Sequence, residues 1–74
     1  MIKNKIIEYA GQRWLVHQAI SLNAAQSEID HARATGSVGS RTTRTLENGW
    51  EQVVAHVNRV NSDDTEQQPY TKLY

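Results

Sequence analysis

The chain has 74 residues, eight basic and eight acidic side chains, no cysteine and no phenylalanine. A chain of this length forms one domain with a small core. The composition excludes disulfides and zinc–thiolate sites, and zero net charge argues against a protein that coats nucleic acid by charge alone.

The location of the protein is constrained by what the chain lacks. No stretch approaches the roughly 20 apolar residues of a membrane span, and the segment from Met1 to Glu8 does not have the pattern of a secretory signal. We therefore expect a cytoplasmic protein of a bacterium or of a phage-infected cell, with no membrane partner. Residues 1–46 carry six basic and three acidic side chains, whereas residues 47–74 carry two and five. This polarity would either orient the protein on a polyanion or be a salt-tolerant pattern without a function.

The first twenty residues fit two structures. Residues 6–9 and 12–16 are rich in β-branched and aromatic residues and flank Ala10-Gly11, which favours a β-hairpin. Pairing across that turn would place Glu8 opposite Arg13 and Ile7 opposite Trp14. The spacing of Ile2, Ile6 and Tyr9 also fits one face of a helix, so the helical alternative stays open.

The next segment has the pattern of a helix from about Ala24 to Thr35. Asn23 is a good N-cap residue, and Gly36 supplies the left-handed residue that commonly ends a helix. The inward face is thin and consists of Ala25, Ile29 and Ala32.

The most regular apolar pattern lies in the second half. It predicts a helix from about Ser40 or Thr42 to Asn61, in which Gly49 marks a bend or a close approach. This stripe is either core or the seam of a dimer. Its members recur at spacings of three and four: Leu46, Trp50, Val53, Val54, Val57 and Val60.

Together these elements predict an α+β fold, in which an N-terminal β-hairpin packs on two helices. The alternative is an all-α domain of three helices. Residues 1–61 would form the single globular domain, and residues 62–74 a flexible acidic tail. The expected core consists of Trp14, Ile29, Leu46, Trp50, Val53, Val54 and Val57.

Catalytic and cofactor chemistry finds little support. The histidines His17, His31 and His56 are too far apart in sequence for a helical metal pair, and no nucleophile motif is present. The glycine-containing run 36–40 lacks the length and the lysine of a phosphate-binding loop. We expect no enzymatic activity, no cofactor and no metal.

One segment carries a binding pattern. A helix ending at Gly36 is followed by a short turn and then by hydroxyls and arginines, whose donors suit phosphates and base edges. This segment resembles the helix-turn-helix modules of small phage and mobile-element regulators over residues 27–50, through Ala32, Gly36, Leu46 and Gly49-Trp50. The resemblance implies that the second helix enters a major groove. The residues expected to contact DNA are Arg33, Ser40, Arg41, Thr42, Thr43 and Arg44.

The sequence thus leads to one expected function and one alternative. The first is a small DNA-binding regulator, acting as a homodimer that reads two half-sites. The alternative is a protein–protein interaction module or inhibitor that acts on a host protein. Its anchors would be the aromatic side chains Tyr9, Tyr70 and Tyr74, because tyrosine and tryptophan dominate interface energetics.

Overall fold

A computed structural model describes residues 1–67 of the chain, as four strands and one helix. Strands β1 and β2 come first, then helix α1, then strands β3 and β4. All neighbouring strands are antiparallel and lie in the order β1-β2-β4-β3. The element bounds are β1 Ile2–Tyr9, β2 Gln12–Ala19, α1 Leu22–Thr35, β3 Gly39–Thr45 and β4 Glu51–Arg59.

The first two strands form the expected hairpin. Ile7 lies opposite Trp14, and Glu8 lies opposite Arg13, as the sequence predicts. The turn is made by Ala10 and Gly11, both with positive φ, of 53° and 78°. Two positive φ angles are what the tightest hairpin turns require, and here alanine accepts one of them.

Helix α1 begins two residues earlier than the sequence predicts. Ser21 is the N-cap, and its hydroxyl accepts a hydrogen bond from the backbone N–H of Ala24 at 3.1 Å. Gly36 ends the helix in the left-handed conformation, as expected. The predicted inward residues Ala25, Ile29 and Ala32 are fully buried, and Glu28 is buried beside them.

The predicted second helix is wrong, because residues 39–45 and 51–59 are strands β3 and β4. Threonine and valine are abundant there, and β-branched side chains favour strands over helices. The pairing shifts register between Thr42 and Thr43, so one β4 residue, Val54, has no partner residue in β3. This bulge interrupts the two-residue period of the strand. The valines therefore acquire spacings of three and four that imitate a helix.

The predicted fold class is therefore wrong in both forms. A hairpin on two helices and an all-α domain each require a second helix, whereas the described residues form one four-stranded sheet covered by one helix. Of the predicted core, Trp14, Ile29 and Val57 are fully buried. Trp50 is 72% exposed and Leu46 is 38% exposed, because both lie in the turn that joins β3 to β4.

The sheet has two different faces. Helix α1 packs on one face against Trp14, Val16, Ala19, Ala55 and Val57. Because alternate side chains of a strand point to opposite faces, the neighbours of these residues point away from the helix. We call that side the outer face. It includes Lys3, Ile6, Arg13, Leu15, His17, Gln18, Arg41, Thr43, His56 and Asn58.

Among the described residues, no helix is long and apolar enough to cross a membrane.

Candidate functional site

Four side chains form one row across the whole outer face. Lys3 pairs with Gln18 across β1 and β2, and Gln18 pairs with His56 across β2 and β4. His56 in turn pairs with Arg41 of β3. We call these four residues the cross-strand row. Three strand spacings separate its ends, so the Cα atoms of Lys3 and Arg41 lie about 14 Å apart.

Local irregularities in β1 and β2 bring this row together. The pairing of β2 with β4 shifts between Val16 and Gln18, which leaves His17 as an extra residue in β2. Asn4, which falls next to it in β1, has a φ of 49°. The extra residue in β2 shifts the alternation of its side chains by one position. Val16 and Ala19, three residues apart, therefore both face the helix. Gln18 and Lys3 therefore point outward.

The bulge also stacks two histidines. The rings of His17 and His56 lie with centroids 4.5 Å apart and planes inclined by 22°. The pKa of His56 is lowered to about 4 by burial, by His17 and by Arg41, against the opposing effect of Glu66 and Glu28. His56 is therefore neutral near pH 7 and presents an imidazole with one donor and one acceptor nitrogen. The positive charges of the row are those of Lys3 and Arg41.

A second set of residues borders the row. Ile6 pairs with Leu15, Leu15 with Asn58, and Asn58 with Gly39. Asn58 is 1% exposed, and its Oδ1 atom accepts no hydrogen bond from any of residues 1–67. Its amide nitrogen donates to the carbonyl of Arg59 at 3.2 Å. The outer face is thus apolar at Ile6 and Leu15 and polar along the cross-strand row.

The chain returns to this face after β4. Asn61 and Thr65 close a turn, and Gln67 donates its backbone N–H to the carbonyl of Arg59 at 2.9 Å. Two acidic side chains of this segment contact the outer face. Asp64 accepts hydrogen bonds from Arg13 at 2.6 and 3.0 Å, and Glu66 lies 2.7 Å from Nε2 of His17.

The structure separates the six residues predicted to contact DNA. Ser40 is 3% exposed and donates its hydroxyl hydrogen bond to Glu28 of α1. It therefore supports the packing of the helix on β3 and does not face solvent. Arg33 lies in the last turn of α1, on the other side of the sheet, with its guanidinium 3.7 Å from Asp30.

The other four predicted residues are consecutive on β3, an edge strand of the described sheet. Arg41 and Thr43 lie on the outer face, whereas Thr42 and Arg44 alternate to the opposite side. Arg44 donates to the side chain of Gln52 at 2.7 Å. Only Arg41 and Thr43 therefore share a face with the cross-strand row. The helix that was to present this segment to DNA is absent, because the segment is a strand.

The predicted aromatic anchors have different environments. Tyr9 is half-buried on β1, and its hydroxyl donates to Asp30 of α1 at 3.1 Å. This hydrogen bond raises the pKa of Tyr9. Tyr70 and Tyr74 lie outside the described residues. Trp50, which the sequence assigned to the core, is the most exposed aromatic side chain in residues 1–67.

The described part of the chain contains no pocket and no group of three side chains arranged to hold a metal ion. The rings of His17 and His56 are stacked face to face, and Nε2 of His17 contacts Glu66. His31 is exposed on α1, away from both.

Sequence reasoning missed Lys3, Gln18 and His56 as members of one surface. They are 15 and 38 residues apart along the chain, and only the sheet order brings them together. The weak signal was the basic start of the chain, with Lys3 and Lys5. Neither a protein-family model, nor a curated protein, nor a solved structure matches this chain.

Proposed function

We propose that the protein is a non-enzymatic DNA-binding protein that uses the outer face of its sheet. The observation that carries this proposal is the cross-strand row, which has a cation at each end and two neutral hydrogen-bonding side chains between them. Lys3 and Arg41 offer donors to phosphates, which position a protein on DNA without reading its sequence.

The dimensions of the row suit duplex DNA. The major groove of B-DNA is about 12 Å wide, which is close to the span of about 14 Å between the Cα atoms of Lys3 and Arg41. Cations at the two ends can therefore contact the phosphate backbones on either side of the groove. Gln18 and His56 would then lie over the groove, and their amide and imidazole groups can both donate and accept hydrogen bonds.

The proposal is tested by fluorescence anisotropy with labelled duplex DNA. We expect binding at about 50 mM salt that weakens steeply towards about 200 mM. The double variant Lys3→Gln/Arg41→Gln should weaken binding by about tenfold or more, and it should reduce the slope of log affinity against log salt by about 2.

A matched control separates the outer face from net charge. The variant Lys5→Gln/Arg33→Gln removes the same two charges from the helix side of the molecule, where Lys5 pairs with Val16 and Arg33 ends α1. We expect this control to change affinity by less than about twofold, because exposed charges that contact no phosphate contribute little. Equal losses in both variants, or no binding by the wild type, would overturn the proposal. Single-stranded DNA of the same sequence shows whether the duplex geometry matters.

A second candidate function, protein binding, is favoured by one observation. Trp50 is 72% exposed at the turn between β3 and β4, next to the 38% exposed Leu46. Tryptophan is enriched among the residues that dominate protein interfaces. If a partner protein binds there, Trp50→Ser should abolish its retention in a pull-down experiment, whereas Lys3→Gln/Arg41→Gln should leave it unchanged.

A further inference from the structure

The acidic segment after β4 forms a turn with hydrogen bonds of its own. In residues 61–67, Asp63 accepts hydrogen bonds from the backbone N–H and the hydroxyl of Thr65, at 3.1 and 2.6 Å. These bonds lower the pKa of Asp63. Asn61 donates its N–H to the carbonyl of Thr65 at 2.7 Å. The turn therefore directs the residues that follow it back towards the sheet.

Two carboxylates of this segment contact the outer face, at two different places along β2. Asp64 binds Arg13, and Glu66 binds His17. His17 in turn stacks on His56, which is a member of the row. Gln67 fixes the end of the segment through its hydrogen bond to Arg59. The Glu66 carboxylate thus lies beside the row, whereas the Asp64 carboxylate lies further along β2, at Arg13.

We propose that residues 61–67 act as an intramolecular competitor that DNA must displace from the outer face. This inference rests on the proposed DNA-binding function and adds its regulation. The segment supplies carboxylates to Arg13 and His17, and like charges placed close together repel. DNA binding would break the Asp64–Arg13 and Glu66–His17 contacts, and phosphates would take the place of the two carboxylates.

The inference is tested by removing both carboxylates. We expect Asp64→Asn/Glu66→Gln to bind duplex DNA about fivefold more tightly at low salt, because the neutral amides neither repel phosphates nor pair with Arg13 as a carboxylate does. The matched control is Glu47→Gln/Glu51→Gln, which removes two exposed carboxylates at the β3–β4 turn. The control should change affinity by less than about twofold, because its carboxylates lie at the far end of β3 and β4, about 13 Å along the strands from Arg41.

A second readout follows the segment itself. If DNA displaces residues 61–67, hydrogen exchange at the Gln67 amide, which donates to Arg59, should become faster when DNA is added to the wild type. An equal gain in affinity in the control variant, no gain in either, or unchanged exchange at Gln67 would overturn the inference while DNA binding stands. Absence of binding in every variant would overturn both proposals.

Discussion

Gly39 shows how a single residue sets the geometry of the outer face. It pairs with Asn58, and a Cβ atom added at Gly39 would lie 2.8 Å from the carbonyl oxygen of Val57 and would also collide with Oδ1 of Asn58. Real Cβ atoms do not approach backbone so closely. Only glycine at this position therefore allows β3 to approach β4 closely while the Asn58 side chain stays buried.

We expect Gly39→Ala to lower the free energy of unfolding by about 1–3 kcal/mol, because overpacking forces the strands to shift. The control is Thr42→Ala, an exposed position on the same strand, which should change stability by about 0.5 kcal/mol or less. Urea denaturation measures both. If Gly39→Ala were as stable as the wild type, the close approach of β3 and β4 at this point would be contradicted.

The lowered pKa of His56 makes the stability of the protein depend on pH. Its pKa in the folded protein is about 4, against 6.5 for the unperturbed side chain. At pH values between these two pKa values, His56 is protonated in the unfolded chain but neutral in the folded protein. The resulting contribution to stability is complete above pH 6.5 and is lost as pH falls towards 4. The charged and titratable groups that act on His56 are His17, Arg41, Glu66 and Glu28.

This linkage predicts a difference between the wild type and His56→Gln. Between about pH 7.5 and about pH 5, the wild type should lose about 1 kcal/mol more stability than the variant, once solvent screening of a half-exposed group is allowed for. Glutamine keeps a polar side chain but does not titrate. Chemical denaturation at the two pH values gives the comparison. An identical loss in both proteins would show that His56 titrates normally.

At the scale of elements, the start of α1 distinguishes two neighbouring cap residues. Ser21 caps the helix through its contact with Ala24, whereas Asn23 lies exposed within the first turn. We expect Ser21→Ala to cost about 1 kcal/mol of stability, because an unpaired helix N–H is left behind. Asn23→Ala should be neutral or slightly stabilising, since alanine has the higher helix propensity. A larger cost for Asn23→Ala would place the start of the helix where the sequence predicts it.

The two hairpins show what could and could not be predicted from sequence. The β1–β2 pairing was accessible, because Glu8–Arg13 and Ile7–Trp14 are favourable pairs across a short turn. The β3–β4 hairpin also carried a signal, since Asn48-Gly49 between β-branched runs is typical of hairpin turns. The bulge at Val54 gives the valines a spacing typical of a helix. This spacing favoured the helix prediction over the hairpin signal. A bulge depends on the partner strand, so local periodicity alone does not reveal it.

At the scale of the molecule, the two sides of the sheet have different roles. One side is covered by α1, whose buried Glu28 bonds to Ser40 of β3. The outer face carries the cross-strand row and receives the acidic segment 61–67. The sequence showed the charge polarity behind this arrangement, with a basic first part and an acidic second part. It did not show that the acidic part contacts the basic part, because that contact depends on the sheet order.

The central claim, that the outer face binds DNA, is tested most directly by mapping the bound surface. Duplex DNA is added to isotopically labelled protein, and amide chemical shifts are followed by NMR spectroscopy. We expect the largest changes at Lys3, Gln18, Arg41 and His56, with little change at the exposed helix residues Ser27 and His31. Changes centred on α1, or none at a DNA concentration that saturates binding at low salt, would contradict the account.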